Sequence, residues 1–86
     1  MKMLILIVKD HLIEAITGAL TAAQFKVTSI ASTGGFLHSG KTTLLIGLDE
    51  SQVENAIGLI RSKVPASADA PQATLFVVPV SRFEQV

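Results

Sequence analysis

The sequence has no cysteine, which excludes disulfides, thiolate-held metals and cysteine nucleophiles. Charge is scarce as well: only 16% of residues are charged, where soluble domains carry about a quarter. The seven basic and seven acidic residues cancel, and no basic run or basic-aromatic stripe is present, which argues against a general nucleic-acid binder. The two histidines, His11 and His38, have no partner at metal-ligand spacing, so no metal site is expected. Long apolar runs are missing too. The run near the N-terminus, Met3–Val8, is far too short for a membrane span or a signal-peptide core. These absences together predict a cytoplasmic protein without a membrane span.

What the chain does have is apolar side chains, 49% of its 86 residues. That length suits one compact domain over residues 1–86, too small for a second core. A body of this size leaves much of its surface wet, so surplus apolar groups point to burial against other subunits.

Periodicity gives the element order. "MKMLILIV" is a short apolar run closed by Lys9-Asp10, a buried strand. "DHLIEAITGALTAAQ" puts Leu12, Ile13, Ile16, Ala19, Leu20 and Ala23 on one helical face, with Asp10 as the expected N-cap. "FKVTSIAS" alternates Phe25, Val27, Ser29 and Ala31 against Lys26, Thr28 and Ile30, as a strand with one wetter face does. "TTLLIGL" is a third strand. "SQVENAIGLIRSK" repeats Val53, Ala56, Ile57 and Ile60 as a second helix, capped by Asp49 or Ser51. "VPASADAPQ" is a polar connector, and "ATLFVVPV" a last strand whose Pro79 suits an edge or a strand end. The order β-α-β-β-α-β predicts an α+β, ferredoxin-like sandwich.

Between the second and third strands, "GGFLHSGKTTLL" holds the letters of a phosphate loop: Gly35, four residues, then Gly40-Lys41-Thr42. That motif has a mechanism only where a helix starts at the lysine and aims its N–H groups at phosphates. Here Lys41 opens a strand-type run. The match therefore fails as an ATPase signature, although binding of phosphate by other means stays open.

Both helices of such a sandwich cover one face of the sheet. Yet Leu4 to Val8, Leu44 to Ile46 and Leu75 to Val78 are apolar on both faces. If half of about ten such side chains lay bare at ~100 Å² each, the patch would exceed the few hundred Å² usual on monomers. A homo-oligomer with facing sheets is expected, a trimer in preference to a dimer.

From Thr33-Gly34-Gly35-Phe36-Leu37 onward the chain resembles the small PII-like cyclic di-AMP receptors. The likeness runs through "MKMLILIVKD", "FKVTSIASTGGFLHSGKTTLLIGL" and "ATLFVVPVSRFEQV". The resemblance implies a non-enzymatic, PII-like homotrimer that binds an adenine nucleotide, cyclic di-AMP or a mononucleotide, in clefts between subunits. Binding would change loop order, which an unidentified protein target reads; no cofactor is implied. Carried onto this chain, it assigns the ligand to Thr28, to the Gly35-Phe36-Leu37 backbone with Phe36 against the ring, to Gly47 and to the tail residue Gln85. Lys26 and Lys41 stand where the family tends to have arginine and asparagine, and Gln24 where it tends to have asparagine. Lysine keeps the charge of arginine but not its flat fork. The connector "VPASADAP" replaces a longer loop.

The residues by themselves allow a second reading at each point. Gly34-Gly35 can bare N–H groups as an anion nest. Phe36 is either a hydrophobic plug or a stacking platform for a base. Lys26 shares a strand face with Thr28 and reaches either a ligand or solvent, while Lys41 is either a solvated loop residue or a phosphate contact. Only one of Thr42 and Thr43 can face a cleft, since strand side chains alternate. Gly47 inside a strand signals a bulge or a close approach. The functional alternatives are an assembly domain of the same fold that has lost its ligand, and an acylphosphatase-type enzyme. The latter needs an arginine loop after the first strand that Lys9-Asp10-His11 does not provide.

Overall fold

A computed structural model describes residues 1–30, 40–65 and 71–86 of the chain. Strand β1 (Lys2–Lys9) is followed by a single 3-10 turn and helix α1 (Ile13–Ala22), then β2 (Val27–Ile30) and β3 (Lys41–Leu48). A second 3-10 turn leads into α2 (Val53–Lys63), and β4 (Ala73–Pro79) ends the regular structure. The four strands form one sheet in the order β2-β3-β1-β4, with every neighbouring pair antiparallel. This is the small α+β arrangement expected of a ferredoxin-like chain.

The apolar run of β1 takes the centre of the sheet because it can be covered on both faces. Its even-numbered residues Leu4, Leu6 and Val8 are fully buried, as are Leu44 and Ile46 of β3. They form one core with Ile16 and Leu20 of α1 and Ala56 and Ile60 of α2. Each such large side chain contributes about 1.5–3 kcal/mol by leaving water. Register follows from this, because a one-residue slip would turn the whole set outward. Pro79 closes β4, an edge strand, where a missing N–H costs least.

Local details differ from the sequence expectation at several places. Asp10 does not cap α1. It sits inside the 3-10 turn, and its carboxylate instead accepts a hydrogen bond from the Thr42 hydroxyl at 2.6 Å. The second strand starts at Val27 rather than at Phe25, and its described part is Val27–Ile30. Phe25 precedes it, buried against the core, because its N–H closes the end of α1 on the Leu20 carbonyl at 3.0 Å. Ala23, placed on the apolar helical face by periodicity, is exposed. The chain turns there through Gln24, which adopts a positive φ of 70°. At the second helix neither Asp49 nor Ser51 is the N-cap of α2, which is Gln52; Asp49 is the N-cap of the 3-10 turn before it, where its N–H donates to Gln52 Oε1 at 3.2 Å.

The face away from the helices carries the odd-numbered residues of β1 and β3 and the even-numbered residues of β2 and β4. Cross-strand partners there are Met3 with Gly47 and Val78, Ile5 with Leu45 and Phe76, and Ile7 with Thr43 and Thr74. Phe76 is 50% exposed and Ile30 44%, while Met3, Ile5, Ile7, Leu45 and Val78 are half-buried. The apolar open sheet anticipated from the strand sequences is present.

Candidate functional site

Lys41 begins β3, and Gly40 before it has a φ of 82°, a left-handed geometry that suits glycine. A strand, not a helix, follows the glycine stretch. The phosphate-loop letters therefore lack the helix N-terminus that gives the motif its chemistry.

At one end of the open face lies a cavity of about 470 Å³. Its floor is the sheet itself, Met3 of β1 with Leu45 and Gly47 of β3. Thr28 lines it from β2 and Lys26 from the residue just before that strand, two positions earlier on the extended chain. The tail closes it with Val80, Phe83 and Gln85. The Val80 N–H donates to the Met1 carbonyl at 3.0 Å, which holds the tail against the start of β1.

The lining includes Lys2 and Lys26 and no carboxylate. The cavity thus combines an apolar floor with the Lys26 ammonium, a threonine hydroxyl and a glutamine amide; Lys2 has the strand parity of the helix-covered face. Gly47 leaves room for a ligand. A Cβ built there meets only Met1 Cε, at 3.9 Å, so the glycine relieves no crowding within the chain, and the pairing of Met3 with Gly47 continues the regular ladder.

Of the residues proposed from sequence, Lys26, Thr28, Gly47 and Gln85 come together in this cavity. Gly35, Phe36 and Leu37 lie outside the described residues. Lys41 lies near the opposite end of β3 from Gly47, about 20 Å along the strand at ~3.3 Å per residue, and does not line the cavity. Its cross-strand partner is Lys9. Of the two threonines that open β3, Thr43 has the parity of the open face.

Sequence reasoning passed over Phe83, which is 63% exposed beside the cavity. The available signal was its spacing, two residues before Gln85 in the same tail. Lys2 and Met3 were also missed, because in the sequence they read only as the start of a buried strand. Among the described residues no cluster of His, Asp or Glu suits a metal ion, and no helix is long and apolar enough to cross a membrane.

Comparison with known proteins gives two results. The family described as cyclic-di-AMP receptor matches residues 1–70. Among solved structures, a functionally unknown protein from Pediococcus pentosaceus ATCC 25745 is similar with a TM-score of 0.80 and 29% identity, over 99% of this chain and 96% of that one.

Proposed function

The chain belongs to the cyclic-di-AMP receptor family, and on that premise we propose that it is a non-enzymatic signalling protein that binds an adenine nucleotide. The single observation that carries this reading is the convergence of Lys26, Thr28, Gly47 and Gln85 on one cavity. Those residues come from two strands and the tail, and nothing in their sequence spacing requires them to meet.

The chemistry fits a nucleotide. Lys26 supplies positive charge for phosphate, Thr28 and Gln85 supply hydrogen bonds, and Leu45, Met3 and Phe83 supply apolar surface for a base. Base stacking on an aromatic side chain contributes about 1–3 kcal/mol. Every charged residue that strand parity assigns to the open face is a lysine: Lys9, Lys26 or Lys41, a field that favours an anionic ligand. The exposed apolar face supports self-association, with a homotrimer whose sheets face one another as the preferred arrangement. The cavity, on that same face, then sits at a boundary between subunits, and residues 1–86 act as one domain in the cytoplasm.

Calorimetry with cyclic di-AMP, ATP, ADP and AMP tests the reading. One of the four binds, Lys26→Gln weakens it at least tenfold, and Phe36→Ala abolishes it. Absence of heat with all four rejects nucleotide sensing and leaves the second reading, an assembly domain of the same fold without a ligand. The short connector between α2 and β4 and the lysines at 26 and 41 favour that alternative.

A further inference from the structure

We infer that the outer edge of β4, together with a cavity between that strand and α2, is a docking site for an extended segment of a partner protein that alternates apolar residues with an acidic one. β4 is an edge strand whose ladder is with β1. The Lys9 N–H donates to the Gln72 carbonyl at 3.2 Å, and the Val80 N–H donates to the Met1 carbonyl at 3.0 Å. Even-numbered residues at both ends of this run thus turn their backbone groups toward β1. Antiparallel ladders alternate, and the register with β1 is unbroken from Ala73 to Pro79. The N–H and C=O groups of Ala73, Leu75 and Val77 therefore point outward, away from the sheet. Edge strands are commonly blunted by charges, bulges or proline. β4 has no charged residue, and its one proline, Pro79, stands at its end.

A second observation is independent of the backbone. The side chains of those same three residues stand on the helix side of the sheet, opposite Val8, Leu6 and Leu4. There α2 leaves a cavity of about 350 Å³ beside the strand. Ile57 and Ile60 of α2, Val64 just after it, and Ala73 and Leu75 of β4 line it, and Arg61 is its one charged residue. Val77 continues the apolar surface along the edge and is 43% exposed. A strand added beside β4 would take its main-chain hydrogen bonds from the outward groups and send every second side chain toward this cavity.

Charge decides the occupant. Among the described residues Arg61 makes no ion pair, and the only salt bridge joins Arg82 to Glu84. The residues one turn earlier on its helix are Ile57 and Gly58, so α2 gives it no carboxylate at that spacing. A second copy of the chain does not complement it either: the edge strands Val27–Ile30 and Ala73–Pro79 contain no acidic residue. The partner is a segment of another protein in which alternate apolar side chains enter the cavity and one Asp or Glu among them meets Arg61. A guanidinium holds a carboxylate by two parallel hydrogen bonds. The added strand is short, because Pro79 has no N–H to extend the pairing. The site shares no residue with the nucleotide cavity and stands independently of the function proposed above.

Amide hydrogen exchange read by NMR tests it, with the end-blocked peptide Thr-Val-Thr-Glu-Thr-Val-Thr and a counterpart carrying lysine in place of glutamate. The glutamate peptide slows exchange at Ala73, Leu75 and Val77, and the lysine peptide binds at least tenfold more weakly. Arg61→Glu reverses that preference, which a merely structural arginine would not do. Val77→Pro removes an outward N–H that the ladder to β1 does not use, so it abolishes binding of either peptide. Thermal unfolding verifies that both variants remain folded. No protection at millimolar peptide, or protection that survives both Arg61→Glu and Val77→Pro, overturns the proposal. Dissociation of an oligomeric parent by Val77→Pro, seen in sedimentation, assigns the edge to a second copy and overturns it equally.

Discussion

The Thr42 hydroxyl donates to Asp10 Oδ1 at 2.6 Å, and the Asp10 N–H donates to the Gly40 carbonyl at 2.8 Å. Together these bonds fasten the end of β1 to the exit of the glycine stretch. A hydrogen bond to a charged group contributes about 1.5–3 kcal/mol, and less when solvent competes. Both residues meet water here, so Asp10→Ala and Thr42→Val are each expected to lower stability by about 1 kcal/mol. The double variant should cost less than their sum. Denaturant unfolding of the four proteins in a double-mutant cycle measures the coupling, and strict additivity would show that the contact contributes nothing.

Gln24 occupies the left-handed position at the end of α1, with φ of 70°. Around it the Gln24 N–H reaches the Thr21 carbonyl at 2.9 Å and the Phe25 N–H reaches the Leu20 carbonyl at 3.0 Å, the closing pattern that favours glycine or asparagine. Gln24→Gly should therefore stabilise the protein, by about 1 kcal/mol from the relieved left-handed strain. A lower melting temperature than the parent would contradict this.

Gly47 has no neighbour that a Cβ would strike; the nearest is Met1 Cε at 3.9 Å. A β-branched residue suits the strand, and glycine there costs roughly 0.5–1 kcal/mol relative to alanine. Gly47→Val is thus predicted to keep or raise stability while filling the cavity floor and weakening nucleotide binding at least tenfold. Calorimetry paired with thermal unfolding separates the two effects, and unchanged affinity would move the ligand elsewhere.

Phe76 and Ile5 are cross-strand partners on the open sheet face, with Phe76 50% exposed. A lysine at Phe76 puts charge into any interface made by that face and leaves the helix-side core untouched. Sedimentation should show the parent as an oligomer and Phe76→Lys as a folded monomer. A monomeric parent, or a variant that keeps its assembly, would rule out association through the sheet.

Much of this architecture was legible from local pattern. The run from Leu4 to Val8 marked a strand apolar on both faces, and the strand-type sequence after Lys41 was enough to reject a phosphate loop. Period and composition report such features because they depend on which face of an element meets the core. Asp10 was less legible. An acidic residue ahead of an apolar helical pattern reads as a cap, and nothing local reveals that Thr42 lies within reach to claim its carboxylate.

The sequence by itself determined the element order and the apolar excess on both sides of the sheet, since these follow from residue type and alternation along one strand. Only the tertiary structure decided that Lys9 stands opposite Lys41, that Thr43 is buried without a partner, and that the tail brings Phe83 and Gln85 to Lys26. Those are matters of register between strands and of one backbone bond from Val80 to Met1, and both arise when distant segments pack, which no local pattern encodes.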